Sequence, residues 1–324
     1  MKRRPPVKVR WRAGVVVASL FTTIAATAAA MPATAAMTTT EPDAGTRTVE
    51  HAMGITEVPA DPQRVVVLDS SFLDAALALG VVPVGATEAS DGFGMPDYLA
   101  AEVPDIAVVG LTNEPNLEAI AALDPDLIFG AKVRHEALYD KLSGIAPTVF
   151  TASSGTNWKD GLAVTADALG RADEARALLE DYEARAADVG ERVDADGSRA
   201  SIVRFLLPDE IRLYGPATFS GTVLTDIGFD LGEHDWNQYS MALISGEQLG
   251  LADADVVFAT AYGGTDTAQF EDAFSSLQPL WDSVPAVADG RQHWVADDTW
   301  MTGIGLIGAG LILDDVEAIL VSES

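Results

Sequence analysis

Arginine and aromatic side chains recur in the segments that follow short apolar runs. Arg134 comes just after a run ending at Gly130. Arg204 and Arg212 flank a turn at Pro208-Asp-Glu210, and Tyr214 follows them. Trp236 and Tyr239 sit in the polar stretch Glu233-His-Asp-Trp-Asn-Gln-Tyr239, and Trp300 follows a strand-like stretch at 293–296. A guanidinium donates forked hydrogen bonds and an aromatic ring supplies stacking area, so this set suits a planar or oxyanion-bearing ligand. The competing explanation is that the arginines pair with surface carboxylates, and the chain has 49 Asp and Glu to offer.

Other chemistries find little support. There is no cysteine, which excludes disulfides, thiolate metal sites, a cysteine nucleophile and a lipid-modified cysteine. The four histidines, at 51, 135, 234 and 293, lack metal-ligand spacing. No nucleophile elbow, zincin helix or Walker loop occurs. Gly303-Ile-Gly305-Leu-Ile-Gly308 matches a dinucleotide fingerprint literally, but too little chain follows it to complete a βαβ unit. Those glycines are expected to open the last helix and let it pack closely.

The elements that must carry these residues alternate. Arg64-Val-Val-Val-Leu68 reads as a buried parallel strand, and Asp69 or Ser70 can cap a helix over Phe72–Leu79. A strand at 81–85, a helix at 117–123 capped by Asn116, and a strand at 127–129 follow. Next come a helix at 134–142 and a strand at 148–150. This is β-α-β repetition with short connections, hence a mainly parallel sheet covered on both faces. Residues 158–193 break the rhythm and read as one long helix with Gly170 as a point for a kink. Alternation then resumes, with strands at 201–207, 212–214 and 256–259. Helices are expected at 221–227, at 245–249 with capping-box spacing between Ser245 and Gln248, and at 304–320. The fold class is therefore α/β, two α/β lobes joined by one long rigid helix, with a cleft at the carboxyl ends of the strands.

Charge and targeting narrow the setting. The formal charge is -29, and residues 1–36 hold six basic residues and no acid, leaving 14 Lys and Arg against 49 acids, or -35, beyond them. Such a field repels phosphate backbones and anionic lipid, so nucleic acid is not an expected partner. A basic start, an Ala-rich apolar run from Ala13 to Ala30 and the small residues Ala33 and Ala35 form a cleavable secretory signal over 1–36. Residues 37–61 are expected to be a flexible tether and 62–324 the folded domain. Within it the first lobe spans about 62–155, the linker helix about 158–193 and the second lobe about 198–324.

The ordered motifs resemble those of the substrate-binding proteins of ABC importers that handle iron-siderophores, haem and cobalamin. They are Arg64-Val-Val-Val-Leu68, Leu79-Gly80-Val-Val-Pro83-Val-Gly85, Gly110-Leu-Thr-Asn-Glu-Pro-Asn-Leu-Glu-Ala-Ile120 and Leu123-Asp-Pro-Asp-Leu-Ile128. Leu142-Ser-Gly-Ile-Ala-Pro-Thr-Val149, Leu213-Tyr-Gly-Pro216, Ile244-Ser-Gly-Glu-Gln-Leu249 and Val284-Pro-Ala-Val287 continue the series. The resemblance implies a class III periplasmic-binding-protein fold, a shallow cleft for one metal chelate and no catalytic step. It implies no cofactor and no metal site of the protein's own, the ligand being a ferric siderophore.

Within the class the chain is most similar to ferric-hydroxamate binders. Those carry a cleft arginine where this sequence has Thr112. Arg134, Arg204, Arg212 and Tyr214 fall near ligand-binding positions of that group, Trp236 and Trp300 match its aromatic walls, and Tyr239 shares the loop of Trp236. The class docks its permease through one glutamate per lobe, here Glu118 and Glu247. Each could equally be a first-turn carboxylate favoured by a helix dipole. The expected product is a monomeric, extracytoplasmic protein without a lipid anchor. The alternatives are a secreted hydrolase using cleft carboxylates, a binder of haem or cobalamin, and a direct metal binder.

Overall fold

The computed structural model describes residues 45–89, 94–207, 210–265 and 268–321. The expected signal at 1–36, the first part of the tether at 37–44 and the turn residues Pro208 and Asp209 lie outside the described residues.

The rest of the expected tether is folded. β1 (Thr46–His51) and β2 (Gly54–Pro59) form an antiparallel hairpin. Alternation explains it: Val49 and Val58 point inward and are fully buried, while Thr46, Thr48 and Glu57 are exposed. Arg47 fastens the hairpin to the carbonyls of Ala60 and Asp167. Ala52 donates to the Phe150 carbonyl, so the hairpin closes the edge of the first sheet.

That sheet contains β3 (Val65–Val67), β4 (Gly85–Glu88), β5 (Ala107–Leu111), β6 (Glu114–Pro115), β7 (Leu127–Ala131) and β8 (Thr148–Thr151). Its order is β6-β5-β4-β3-β7-β8, parallel except for β6. Val65, Val67, Leu127 and Phe129 enter one core cluster, whereas Val66, Leu68 and Ile128 enter another. Period-two side chains are thus buried on both faces, which is why these strands read as unbroken apolar runs. The covering helices are α1 (Ser70–Ala78), α2 (Asp97–Ala100), α3 (Leu117–Ala122), α4 (Lys132–His135) and α5 (Tyr139–Ser143). Asp69 caps α1 and Asn116 caps α3, each through its side-chain oxygen.

The helix expected over 158–193 is two helices, α6 (Trp158–Leu169) and α7 (Ala172–Val193). Gly170 ends the first with φ of 72°, a left-handed conformation that costs glycine little, and a Cβ there would run into the Arg47 guanidinium. The 22-residue α7 carries the chain to the second lobe.

The second sheet contains β9 (Ala200–Leu207), β10 (Glu210–Tyr214), β11 (Met241–Ile244), β12 (Val256–Ala261) and β13 (Gln292–Trp294), in the order β11-β10-β9-β12-β13. β9, β12 and β13 are parallel, and β10 and β11 extend the sheet antiparallel. Its helices are α8 (Phe219–Ile227), α9 (Ala268–Trp281), α10 (Pro285–Ala288) and α11 (Leu306–Leu320). A 3-10 segment, Gly246–Ala252, starts with the Ser245–Gln248 capping box, and a π-helical turn spans Asp298–Thr302. α11 packs against α1, α7 and α8, and the Arg185–Asp314 and Arg192–Glu317 ion pairs fasten it to α7.

Candidate interlobe binding site

In the first sheet the strand order reverses between β3 and β7. The loops after those strands diverge to opposite faces and leave a crevice at their carboxyl ends. Asp69 follows β3 and Arg134 follows β7. Asp69 Oδ1 caps α1 by accepting from the Ser71 amide, and its Oδ2 lies 3.1 Å from Arg134 Nε. Arg134 Nη1 also donates to Asn113 Oδ1 at 3.3 Å, and Nε lies 3.4 Å from Ser154 Oγ. The guanidinium is thus fixed by three segments yet stays 38% exposed, with donors to spare for a ligand.

His135 props up this corner. It is fully buried, its Nδ1 accepts from the Ala131 amide at 3.1 Å, and its Nε2 lies 2.6 Å from the Thr112 carbonyl. That pair of partners assigns the proton to Nε2. Burial lowers the imidazole pKa against the opposing pull of the Thr112 carbonyl, and this lowering favours the neutral ring. Thr112 itself is buried, its hydroxyl donating to the Glu88 carbonyl at 3.0 Å and lying 3.3 Å from Thr87 Oγ1. Its polar group is engaged inside the lobe, whereas the adjacent Asn113 is exposed and contacts Arg134.

In the second lobe Arg204, on β9, lies directly across the hairpin from Arg212, on β10, so the two share a face of the sheet. Arg204 is nearly buried and forks onto Asp297, with Nε to Oδ1 at 2.7 Å and Nη2 to Oδ2 at 2.6 Å. Thr260 Oγ1 donates to the same carboxylate at 3.1 Å, and the guanidinium lies over the Tyr262 ring at 5.2 Å. Burial works against the charged guanidinium, but Asp297 and the Tyr214 hydroxyl outweigh it and raise the Arg204 pKa. Arg212 pairs with Glu210 and is half-exposed. Tyr214 is buried at the end of β10. Trp236 is half-buried, edge-on to His234 at 4.8 Å, and packs so closely on Gly215 that a Cβ there would meet the indole. Tyr239, in the same loop, is exposed.

Trp300 is not a wall of the crevice. It is fully buried, its ring lies 4.8 Å from that of Phe258, and its indole nitrogen donates to Asp315 Oδ2 at 3.0 Å. The π-helical turn swings it inward into the core of the second lobe.

The lobes meet beside these arginines. Ser70 Oγ donates to the Thr302 carbonyl at 2.6 Å, and the Asp97 amide lies 3.3 Å from Asp298 Oδ2. Deeper in, Asp74 of α1 receives the start of α11: Oδ1 accepts from the Ile307 amide at 3.0 Å, and Oδ2 from the Gly308 amide at 3.0 Å and the Tyr98 hydroxyl at 2.8 Å. Gly305, with φ of 149°, passes so close to Asp74 that a Cβ would collide with the carboxylate. This is the work of the glycine series. Burial pushes the Asp74 pKa to about 6, against the opposing effect of those hydrogen bonds. The carboxylate is sealed from solvent, so it offers no acid or base to a substrate, as the hydrolase alternative would need.

Glu118 and Glu247 are both exposed, one in the first turn of α3 and the other in the first turn of the 3-10 segment. Sequence reasoning missed Asp69 as a partner of Arg134, and also Asn113, Tyr262 and Asp297. Among the described residues no group of three or more His, Asp or Glu is arranged to hold a metal ion, and no helix is long and apolar enough to cross a membrane.

This architecture matches known proteins. The probable siderophore-binding lipoprotein YfiY of Bacillus subtilis (strain 168) is 39% identical over 284 residues, covering 84% of this chain and 87% of the relative. The Fe(3+)-citrate-binding protein YfmC of the same organism is 31% identical over 83% of this chain and 84% of its own length. The crystal structure of Staphylococcus aureus SirA complexed with staphyloferrin B superimposes with a TM-score of 0.74 at 32% identity, covering 84% of this chain and 97% of that one. Residues 65–292 match the periplasmic binding protein family, and the chain belongs to that family.

Proposed function

We propose that this chain is an extracytoplasmic solute-binding protein that captures a ferric siderophore between its lobes and delivers it to an ABC permease. The observation that carries this reading is Arg134. It is fixed by Asp69 and Asn113 at the strand-order reversal of the first sheet, and its side chain stays 38% exposed. On the second lobe Arg212 and Trp236 are partly exposed and Tyr239 is exposed, whereas Arg204 and Tyr214 are buried; this set would form the facing wall. Donors on both walls would meet the oxygen shell of a chelated ferric ion, and the indole would cover its organic part.

A hydroxamate complex is favoured. Arg134, Arg204 and Arg212 each have a carboxylate partner, so the crevice holds no surplus of positive charge for a polyanion. The second reading is a carboxylate-type complex, favoured by the name of the Fe(3+)-citrate-binding relative. The protein acts as a monomer, performs no catalytic step and needs no cofactor. Glu118 and Glu247 contact permease arginines, one per lobe. The signal is removed near Ala35–Met37, and the sequence has no cysteine to carry a lipid.

The test is a tryptophan-fluorescence titration of the purified protein with ferric hydroxamate, citrate and catecholate complexes and their iron-free forms. Saturable binding of the iron-loaded hydroxamate, weakened by Arg134→Ala, is expected. Turnover of a ligand, or no binding of any ferric chelate, would overturn the reading.

A further inference from the structure

The three crevice arginines differ in how firmly their charge is cancelled. Arg212 and Glu210 lie two residues apart on one strand and are both about one-third exposed, so solvent screens them and either can turn away. Arg134 is more than a third exposed, and Asp69 divides its carboxylate between that arginine and the cap of α1. Arg204 and Asp297 are closed. Their side chains are 10% and 9% exposed, the fork uses both carboxylate oxygens, and Thr260 holds Asp297 from β12. Besides Asp297, Tyr214, from β10, and Tyr262, just after β12, face the guanidinium. Asp298, next in sequence to Asp297, accepts from the Asp97 amide of the opposite lobe. The closed pair is therefore one residue away from a contact between the lobes, and its low exposure means that water screens it poorly.

We propose that Asp297 is the specificity-determining residue of the crevice: by closing the fork on Arg204 it withdraws that charge from the ligand, so the site accepts ferric complexes of low net charge and disfavours polyanionic ones. This rests on the ferric-siderophore reading and deepens it. Asp297 acts through Arg204 and need not touch the ligand itself. Without Asp297, a guanidinium with five N–H donors would face the crevice with two tyrosines for company, and the wall built from Arg204, Arg212, Glu210 and Asp297 would change from neutral to one positive charge.

The experiment compares the parent with Asp297→Asn, Arg204→Gln and the double variant Asp297→Asn/Arg204→Gln. Each is titrated with a ferric tris-hydroxamate and with the trianionic ferric tris-catecholate, at low and at physiological salt. Asp297→Asn should shift the affinity ratio toward the catecholate by about tenfold or more at low salt, and by less at physiological salt. Arg204→Gln should shift it the opposite way, and the double variant, neutral again, should return to the parental ratio. Arg204→Gln carries the test by itself if Asp297→Asn fails to fold. Parental ratios in folded single variants, or a double variant that keeps the shifted ratio, would overturn the assignment. A parent that binds neither complex would instead overturn the ferric-siderophore reading on which it rests.

Discussion

Replacing Asp74 with Asn should change how native stability depends on pH. Folded Asp74 holds its proton to about pH 6, against an ordinary value of 3.8, because burial penalises the carboxylate more than the Ile307 and Gly308 amides and the Tyr98 hydroxyl favour it. A group that binds its proton more tightly when folded favours the native state at low pH. Its contribution is complete below 3.8, declines as pH rises from 3.8 to about 6, and is constant above. At 1.36 kcal/mol per unit, a shift of about two units amounts to about 3 kcal/mol. Asparagine keeps the shape and an acceptor oxygen but does not titrate. The unfolding free energy of Asp74→Asn minus that of the parent should therefore rise by about 3 kcal/mol between about pH 4 and about pH 7. Urea unfolding of both proteins at matched pH values gives this difference directly, and other titrating groups cancel in the subtraction. A difference independent of pH would refute the reasoning. So would one that falls as pH rises, because the three hydrogen bonds would then outweigh desolvation and hold the carboxylate ionised.

Reversing Glu118 and Glu247 to arginine should leave ligand binding intact and abolish uptake in cells, since attraction to permease arginines becomes repulsion; equal loss of binding and uptake would mean that these glutamates shape the crevice. Trp300→Ala should cost about 3–5 kcal/mol in chemical unfolding, because it empties a fully buried site beside Phe258. The folded fraction should keep its ligand affinity, and lost binding at parental stability would put Trp300 back at the crevice wall. Mass spectrometry of exported protein should find an N-terminus near Ala35–Met37, and an intact Met1 or an acyl mass would contradict that expectation.

The strands of the first sheet were legible because they are buried on both faces: Val65 to Val67 and Leu127 to Phe129 need no alternation and stand out as apolar runs. The caps at Asp69, Asn116 and Ser245 were legible because capping is local chemistry. The β1–β2 hairpin was hidden. One face is polar, and Val49 and Val58 become core residues only against distant α6 and β8. The helix α9 was hidden too, with Pro279 inside it arguing against a helix. Arg134, Arg204 and Arg212 could be singled out because arginine is scarce beyond the N-terminal segment. Their partners could not, since nothing local separates Asp69 and Asp297 from so many other acids. Trp300 misled for the opposite reason. An indole among aspartates after a strand looks like a binding-site residue, and only the π-helical turn, which depends on tertiary contacts, turns it into the core.

The central claim, a ferric chelate held between the lobes, is tested most directly by locating the iron. Crystals of the protein grown with a ferric hydroxamate, measured at the iron absorption edge, should show one anomalous peak in the crevice. That peak should have Arg134 on one side and Arg212 and Trp236 on the other, and it should be missing from crystals grown with the iron-free chelator. Iron bound outside the crevice, or iron held directly by protein carboxylates and histidines without a chelator, would contradict the account.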